Sequence, residues 1–253
     1  MGALSGKISI VTGAGTGVGK GIAYALAKEG VTIVVVGRTE SRLRETVAEI
    51  EGFGGKAVAI QADVCLLADI ERVVAETIAQ FGTVDILVNN AQITPMANIL
   101  DLTPEAFESA YRSGPFATFY FMKACHPHMK ANGGGVIINT GTSQAVQSNT
   151  AGFAAYVSAK QAIRALTRAA ACEWGRDNIR INTVMPAAWS EALLDMIPDE
   201  EEQKKFAEAE TLLGYIGDCE QDIGRAVVAL CGEDCRYITG ASIPLDGGSG
   251  NFG

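Results

Sequence analysis

Two histidines in 253 residues leave little material for an imidazole-based metal site. The only metal-like spacings, His126-x-His128 and Cys231-x-x-x-Cys235, have no matching ligands elsewhere, so no metal is expected. No apolar run approaches the about 18 residues that a membrane span needs, and a membrane is not expected as a partner. With 7 prolines and no repeat or low-complexity tract, nothing divides the chain, and residues 1–253 read as one domain. Positive charge is in deficit, 20 Lys and Arg against 29 Asp and Glu, for a formal net charge of −9. That balance argues against nucleic acid as a partner and makes any phosphate site a local exception. The start, MGALSGKISI, has neither the basic residues nor the long apolar core of an export signal. The expected location is cytoplasmic, with the 6 cysteines reduced.

What is present first draws the eye to Ser143–Lys160. Tyr156 and Lys160 stand four residues apart in an Ala-rich run, so in a helix both leave one face, a turn apart. An ammonium there is expected to lower the pKa of the phenol towards working pH and make it an acid and base. Ser143 lies thirteen positions before Tyr156, just past the apolar run Val136–Thr140. A serine at a strand's carboxyl end and a tyrosine at the next helix converge on the edge where open α/β sheets bind ligands. Serine is expected to hold a carbonyl or alcohol oxygen while tyrosine moves the proton. The Tyr-x-x-x-Lys pattern also arises by chance in helices, so the reading needs support from elsewhere in the chain.

The amino terminus supplies it. Thr12-Gly-Ala-Gly-Thr-Gly-Val-Gly19 follows an apolar run, Lys7–Val11, and precedes residues at helical spacing. Strand, glycine turn and helix together make a pyrophosphate site, although Gly13-x-x-x-Gly17-x-Gly19 is not the common G-x-G-x-x-G. The β-branched run Val31–Val36 ends in Gly37-Arg38-Thr39, with no carboxylate before Glu40. An acidic residue there would take a ribose 2′-hydroxyl and an arginine a 2′-phosphate, so NADP(H) is favoured over NAD(H). A merely solvated charge is the other reading of Arg38. Asp63, past the strand Ala57–Gln61, is placed to accept from an adenine amino group. Asn89 and Asn90, past the strand Val84–Val88, are placed to brace that edge.

Strand and helix alternate throughout, which predicts a doubly wound parallel sheet with helices on both faces. Thr103-Pro104 reads as a helix start, and Ser113-Gly114-Pro115 interrupts the helix or kinks it. The aromatics at 116 and 119–121 read as core or subunit contact. Tyr237–Leu245 reads as a last strand. Residues 187–217 break the rhythm and are expected to cover a substrate, with Trp189, Leu193, Leu194, Met196 and Leu212 lining an apolar pocket. Glu200–Glu202 reads as a solvated face.

These features together resemble a short-chain dehydrogenase/reductase of the roughly 250-residue type. The resemblance covers nearly the whole chain and rests on Thr12–Gly19, Asp63-Val64, Asn89-Asn90-Ala91, Ser143, Tyr156-x-x-x-Lys160, Pro186, Ile238-Thr-Gly and Asp246-Gly-Gly. It implies a Rossmann-like sheet of about seven strands, a small carbonyl or alcohol substrate, and catalysis by Ser143, Tyr156 and Lys160. Lys160 would also hold the nicotinamide ribose. Contacts to the dinucleotide would come from Gly13, Thr16, Gly17, Val18 and Gly19, then Arg38, Thr39, Asp63 and Val64, then Asn90, Ala91 and Pro186 with Tyr156 and Lys160. A homotetramer is implied through helices at about 104–130 and 152–174, or a homodimer.

The chain departs from that pattern at four places. Gln92 stands for a glycine, Ala187 for a glycine and Glu191 for a threonine, and Gly114 aligns with an asparagine that in the family supports a water relay behind the lysine. Either Ser113 or a backbone carbonyl takes over that role, or turnover is impaired. Two other readings stay open: a nucleotide-binding homologue with vestigial chemistry, and a 3-oxoacyl thioester reductase. Substrate, direction and stereochemistry are not legible.

Overall fold

Runs of β-branched residues, too stiff at χ1 to favour helix, form the strands of one seven-stranded sheet. The computed structural model describes residues 2–147 and 150–250. The strands are β1 (Ile8–Thr12), β2 (Thr32–Gly37), β3 (Lys56–Gln61), β4 (Ile86–Asn89), β5 (Gly135–Thr140), β6 (Ile179–Pro186) and β7 (Ser242–Leu245). Their order is β3-β2-β1-β4-β5-β6-β7, and every pairing is parallel. The reversal of direction lies between β1 and β4, where Val11 pairs with Val35 on one side and Val88 on the other. Ligands bind at such a crevice in open α/β sheets.

Helices α1 (Gly17–Lys28), α2 (Glu40–Gly52), α3 (Leu67–Phe81), α4 (Pro104–Tyr111), α5 (Ala117–Ala131) and α6 (Ala154–Trp174) are followed by α7 (Glu191–Met196), α8 (Glu200–Glu210) and α9 (Arg225–Cys231). The strand period of two divides the core between the faces. Ile33 and Val35 pack with Ile22, Leu26 and Val227 on one face, while Val34 and Val36 pack with Ile70, Val73 and Phe121 on the other. This is the expected doubly wound, parallel α/β sheet. No helix among the described residues is long and apolar enough to cross a membrane.

Three local features have physical causes. Tyr237 is fully exposed, and the carbonyl of Ile238 accepts from Arg180 Nη1 at 3.2 Å and Asn182 Nδ2 at 2.9 Å. Those side chains draw the backbone away from β6, so only Ser242–Leu245 pairs as β7. Helices α4 and α5 are joined without a break by a wide π turn over Arg112–Phe116, which absorbs the missing N–H of Pro115. Glu200–Glu202 forms the first turn of α8, where Asp199 caps Glu201 and Glu202 amides at 3.0 and 2.9 Å and the helix dipole favours acids.

Buried positions of α6 fall at Lys160, Ile163, Thr167, Ala170 and Ala171, one stripe against the sheet. Thr167 Oγ1 accepts from Asn139 Nδ2 at 2.9 Å and meets Thr183 Oγ1 at 2.8 Å, and Asn139 Oδ1 accepts from Asn89 Nδ2 at 2.9 Å. This polar chain crosses β4, β5 and β6 and fixes the rotation of α6. Asn89 thus braces the sheet interior, and the cofactor edge is left to Asn90.

Candidate active site

The glycine turn is locked from behind. Thr12 Oγ1 accepts from the amides of Asn90 and Ala91 at 2.9 and 3.1 Å, and Asn90 Nδ2 donates to Thr12 O at 3.1 Å. Gly13 has φ +66°, and a Cβ there would lie 2.9 Å from Asn90 Nδ2, so both conformation and space require glycine. Gly19 lies in α1 with a would-be Cβ against the carbonyl of Gly13. It sets the approach of helix to strand and does not line the cavity.

A cavity of about 380 Å³ opens above the turn. It brings together Gly13, Thr16, Gly17 and Val18 with Arg38 and Thr39 at the end of β2, Asp63 and Val64 past β3, and Asn90 and Ala91 past β4. The first turn of α1 carries no acidic residue, and Thr16 makes no side-chain cap bond. Free amides, a positive helix end and closely approachable backbone fit a pyrophosphate. Arg38 is exposed at the rim and makes no ion pair among the described residues. Asp63 Oδ1 accepts from the amide of Cys65 at 2.9 Å, which fixes the carboxylate. The chain therefore offers a cradle that fits a dinucleotide.

Sequence reasoning missed several residues of this cavity: Arg42, Gln92, Ser190 and Glu191. Arg42 and Glu191 pair at 3.6 Å, joining α2 to α7 across the cavity mouth. Only the departure of Glu191 from the family pattern pointed to it.

The reacting groups lie towards the end of β5. Lys160 is 3 % exposed, and its Nζ donates to Thr140 O at 2.7 Å and lies 5.7 Å from the centre of the Tyr156 ring. Burial pushes its pKa down to about 7. Burial pushes the Tyr156 phenol up, offset in part by a hydrogen bond with the Thr142 side chain. The direction is opposite to the expected depression of the phenol by the lysine: desolvation disfavours the charged form of each.

Ser143 is buried, and its Oγ donates to Asp246 Oδ2 beyond β7. Asp246 also accepts the amides of Gly248 and Gly250, each at 3.0 Å. The hydroxyl hydrogen-bonded to Tyr156 is that of Thr142, whose Oγ1 also accepts the Gln144 amide at 3.3 Å. Pro186 closes β6, paired with Leu245, and does not line the cavity.

In the covering segment, Trp189 packs on Phe206 with ring centres 6.2 Å apart, while Leu212 lines a separate hollow with Leu213 and Tyr215. The expected apolar residues thus do not share one pocket. Ser148 and Asn149 lie outside the described residues. Among the described residues no group of three or more His, Cys, Asp or Glu is arranged to hold a metal.

Comparison with known proteins agrees with this architecture. Residues 13–250 match the family model described as enoyl-(acyl carrier protein) reductase. A 12alpha-hydroxysteroid dehydrogenase of Clostridium sp. is 37 % identical over 258 residues, covering 99 % of each chain. The structure of a 7 alpha-hydroxysteroid dehydrogenase complexed with NADH and 7-oxo glycochenodeoxycholic acid superposes with a TM-score of 0.90 at 32 % identity, covering 98 % of this chain and 95 % of the other. A 3-ketoacyl-(acyl-carrier-protein) reductase from Brucella melitensis complexed with NADH gives 0.89 at 30 % identity, covering 98 % and 100 %. A parallel seven-stranded sheet, a glycine cradle at its switch point and full-length likeness to these oxidoreductases lead to one conclusion: the chain belongs to the short-chain dehydrogenase/reductase family.

Proposed function

We propose that this oxidoreductase exchanges hydride between NADP(H) and a ketone or secondary alcohol, with Tyr156 as the acid and base. The observation that carries the reading is the placement of Tyr156 and Lys160 one turn apart on α6, with the lysine buried against Thr140. The nicotinamide, when bound, supplies the hydride, and the protein supplies position and proton. Gly13, Thr16, Gly17 and Val18 hold the pyrophosphate, Asp63 and Val64 face the adenine, and Asn90 and Ala91 border the path to the nicotinamide. Arg38 and Thr39 receive a 2′-phosphate.

In carbonyl reduction Tyr156 donates its proton to the forming alkoxide. A raised pKa keeps the phenol protonated at neutral pH, which suits it to that direction. Lys160, near half-protonated at pH 7, then restores the phenol. Ser143 holds the substrate oxygen by turning about χ1 from Asp246, and Thr142 steers the Tyr156 hydroxyl.

Steroid-sized polycyclic ketones are the substrate class, on the likeness to the two hydroxysteroid dehydrogenases. The 3-oxoacyl thioester reading has support from the Brucella relative but asks a chain of net charge −9 to dock an acidic carrier. The solved relatives hold NADH; the preference for NADP(H) here rests on Arg38. A homotetramer through α4–α6 is supported by the exposed aromatics Phe107, Phe116 and Phe119. Free cysteines among the described residues agree with a cytoplasmic location. Turnover of 7-oxo glycochenodeoxycholic acid and a panel of smaller ketones, each with NADPH and NADH, tests the reading: oxidation of NADPH with a steroid ketone is expected. Tight NADPH binding without turnover on any ketone or alcohol would leave the vestigial homologue instead.

A further inference from the structure

Arg38 and Asp63 follow the ends of β2 and β3 and both line the cavity, on the side proposed above for adenine and the 2′-phosphate. Arg38 is a long, exposed side chain, so where its guanidinium can reach depends on how firmly its own backbone is held. Asp63 lies in the turn between β3 and α3, and its placement depends on that turn.

The groups that hold both segments do not line the cavity. Gln61, the last residue of β3, donates from Nε2 to the carbonyl of Arg38 at 2.8 Å. Asp69, in the first turn of α3, accepts the amide of Asp63 on Oδ2 at 2.8 Å. Arg72 joins these two supports: its Nη2 donates to Gln61 O at 2.8 Å and to Asp69 Oδ1 at 3.0 Å. β3 is the edge of the sheet, and Arg72 supplies there a donor that a further strand would otherwise give.

On α3 alone, the pairs of Arg72 with Asp69 and Glu76, at 3.0 and 3.2 Å, are the contacts of any charged helix face and contribute little. Two bonds are of another kind. The one to Gln61 O leaves the helix for the sheet, and the second oxygen of Asp69 is spent on the turn that carries Asp63. The Asp69 carboxyl is held below its usual pKa by the Asp63 amide first and by Arg72 next, which keeps it a charged acceptor for both.

We infer that Arg72 is a positioning residue for the adenosine end of the dinucleotide: from outside the cavity, one guanidinium fixes Arg38 through Gln61 and Asp63 through Asp69. This role rests on the proposed dinucleotide site and deepens it. A site fixed before binding loses less freedom when the ligand arrives, so the clamp acts on cofactor affinity and on no chemical step. Its two arms divide the work, Gln61 serving the 2′-phosphate and Asp69 the adenine.

The test is calorimetric binding of adenosine 2′,5′-bisphosphate, of AMP and of NADPH to the full chain, which needs no turnover. Arg72→Met removes the fork and keeps an unbranched stem; the bisphosphate and NADPH are expected to bind about fivefold or more weakly. Arg72→Lys is expected to fall between, since an ammonium keeps the charge without the fork. Gln61→Met is expected to weaken the bisphosphate about threefold or more and to leave AMP within about twofold, whereas Asp69→Ala weakens both. Combined with Arg38→Leu, Gln61→Met is expected to cost the bisphosphate nothing further. Melting temperature identifies a variant that merely loosens the fold, and Gln61→Met, which leaves the ion pairs of α3 in place, then decides. Wild-type affinity for the bisphosphate in Arg72→Met and Gln61→Met, or a Gln61→Met loss that persists in full without Arg38, overturns the inference alone. A wild type that binds the bisphosphate no better than AMP would overturn it together with the 2′-phosphate reading of Arg38.

Discussion

Lys160 Nζ lies 5.7 Å from the centre of the Tyr156 ring yet gives its hydrogen bond to Thr140 O at 2.7 Å. Desolvation acts against the charged form of each group. The lysine's pKa falls to about 7 from 10.5, which has a stability consequence with a definite sign. The unfolded chain keeps that proton up to about pH 10.5, the folded chain only to about 7. Between them unfolding takes up a proton, so this residue's contribution to stability rises with pH and is least favourable below pH 7. Lys160→Met is expected to be more stable than wild type at pH 7, with the gap closing by about 1.4 kcal/mol per pH unit above it. Urea unfolding of both proteins at pH 7 and 8.5 measures the difference and cancels the titration of the buried thiols. A gap independent of pH would mean that the lysine stays charged in the folded protein.

Arg38 makes no ion pair among the described residues, and no carboxylate lies between the end of β2 and Glu40, which is itself paired with Arg44 at 2.6 Å. Arg38→Leu is expected to raise KM for NADPH about 10- to 100-fold, the worth of about 1.5–3 kcal/mol for a charge-assisted hydrogen bond, and to leave KM for NADH within a few fold. Equal effects on both cofactors would place Arg38 outside the 2′-phosphate site.

Ser143 bonds to Asp246 and its neighbour Thr142 to Tyr156, so their variants are expected to differ. Ser143→Ala is expected to cut kcat about 100-fold or more through loss of the bond to the substrate oxygen. Thr142→Val is expected to act through Tyr156, moving the pH profile of kcat with a smaller loss of rate. If Thr142→Val is the more damaging of the two at every pH, Thr142 is the group that holds the substrate.

The sheet, the glycine turn and the Tyr156–Lys160 face were legible because each is a local pattern: β-branched runs, positive-φ glycine, a four-residue helical spacing. The Thr103 cap, whose Oγ1 accepts from Ala106 at 3.2 Å with Pro104 in the first turn, is a signal of the same kind. What was not legible joins residues far apart in the chain. Ser143 and Asp246 are 103 positions apart, and the Gln92 carboxamide meets the turn of Gly114 only through packing. The direction in which Tyr156 shifts is not legible either, because spacing reports proximity but not desolvation, and burial pushes the phenol up. The strand expected from Tyr237 shortened for a similar reason: side chains of β6 compete for the carbonyl of Ile238.

The most direct test is turnover by Tyr156→Phe, a change of one oxygen atom that leaves the ring on α6. With NADPH and a ketone the wild type reduces, the account predicts a fall in kcat of about 100- to 10,000-fold, with NADPH affinity unchanged. Near-wild-type turnover by that variant would show that the proton comes from elsewhere and would contradict the account.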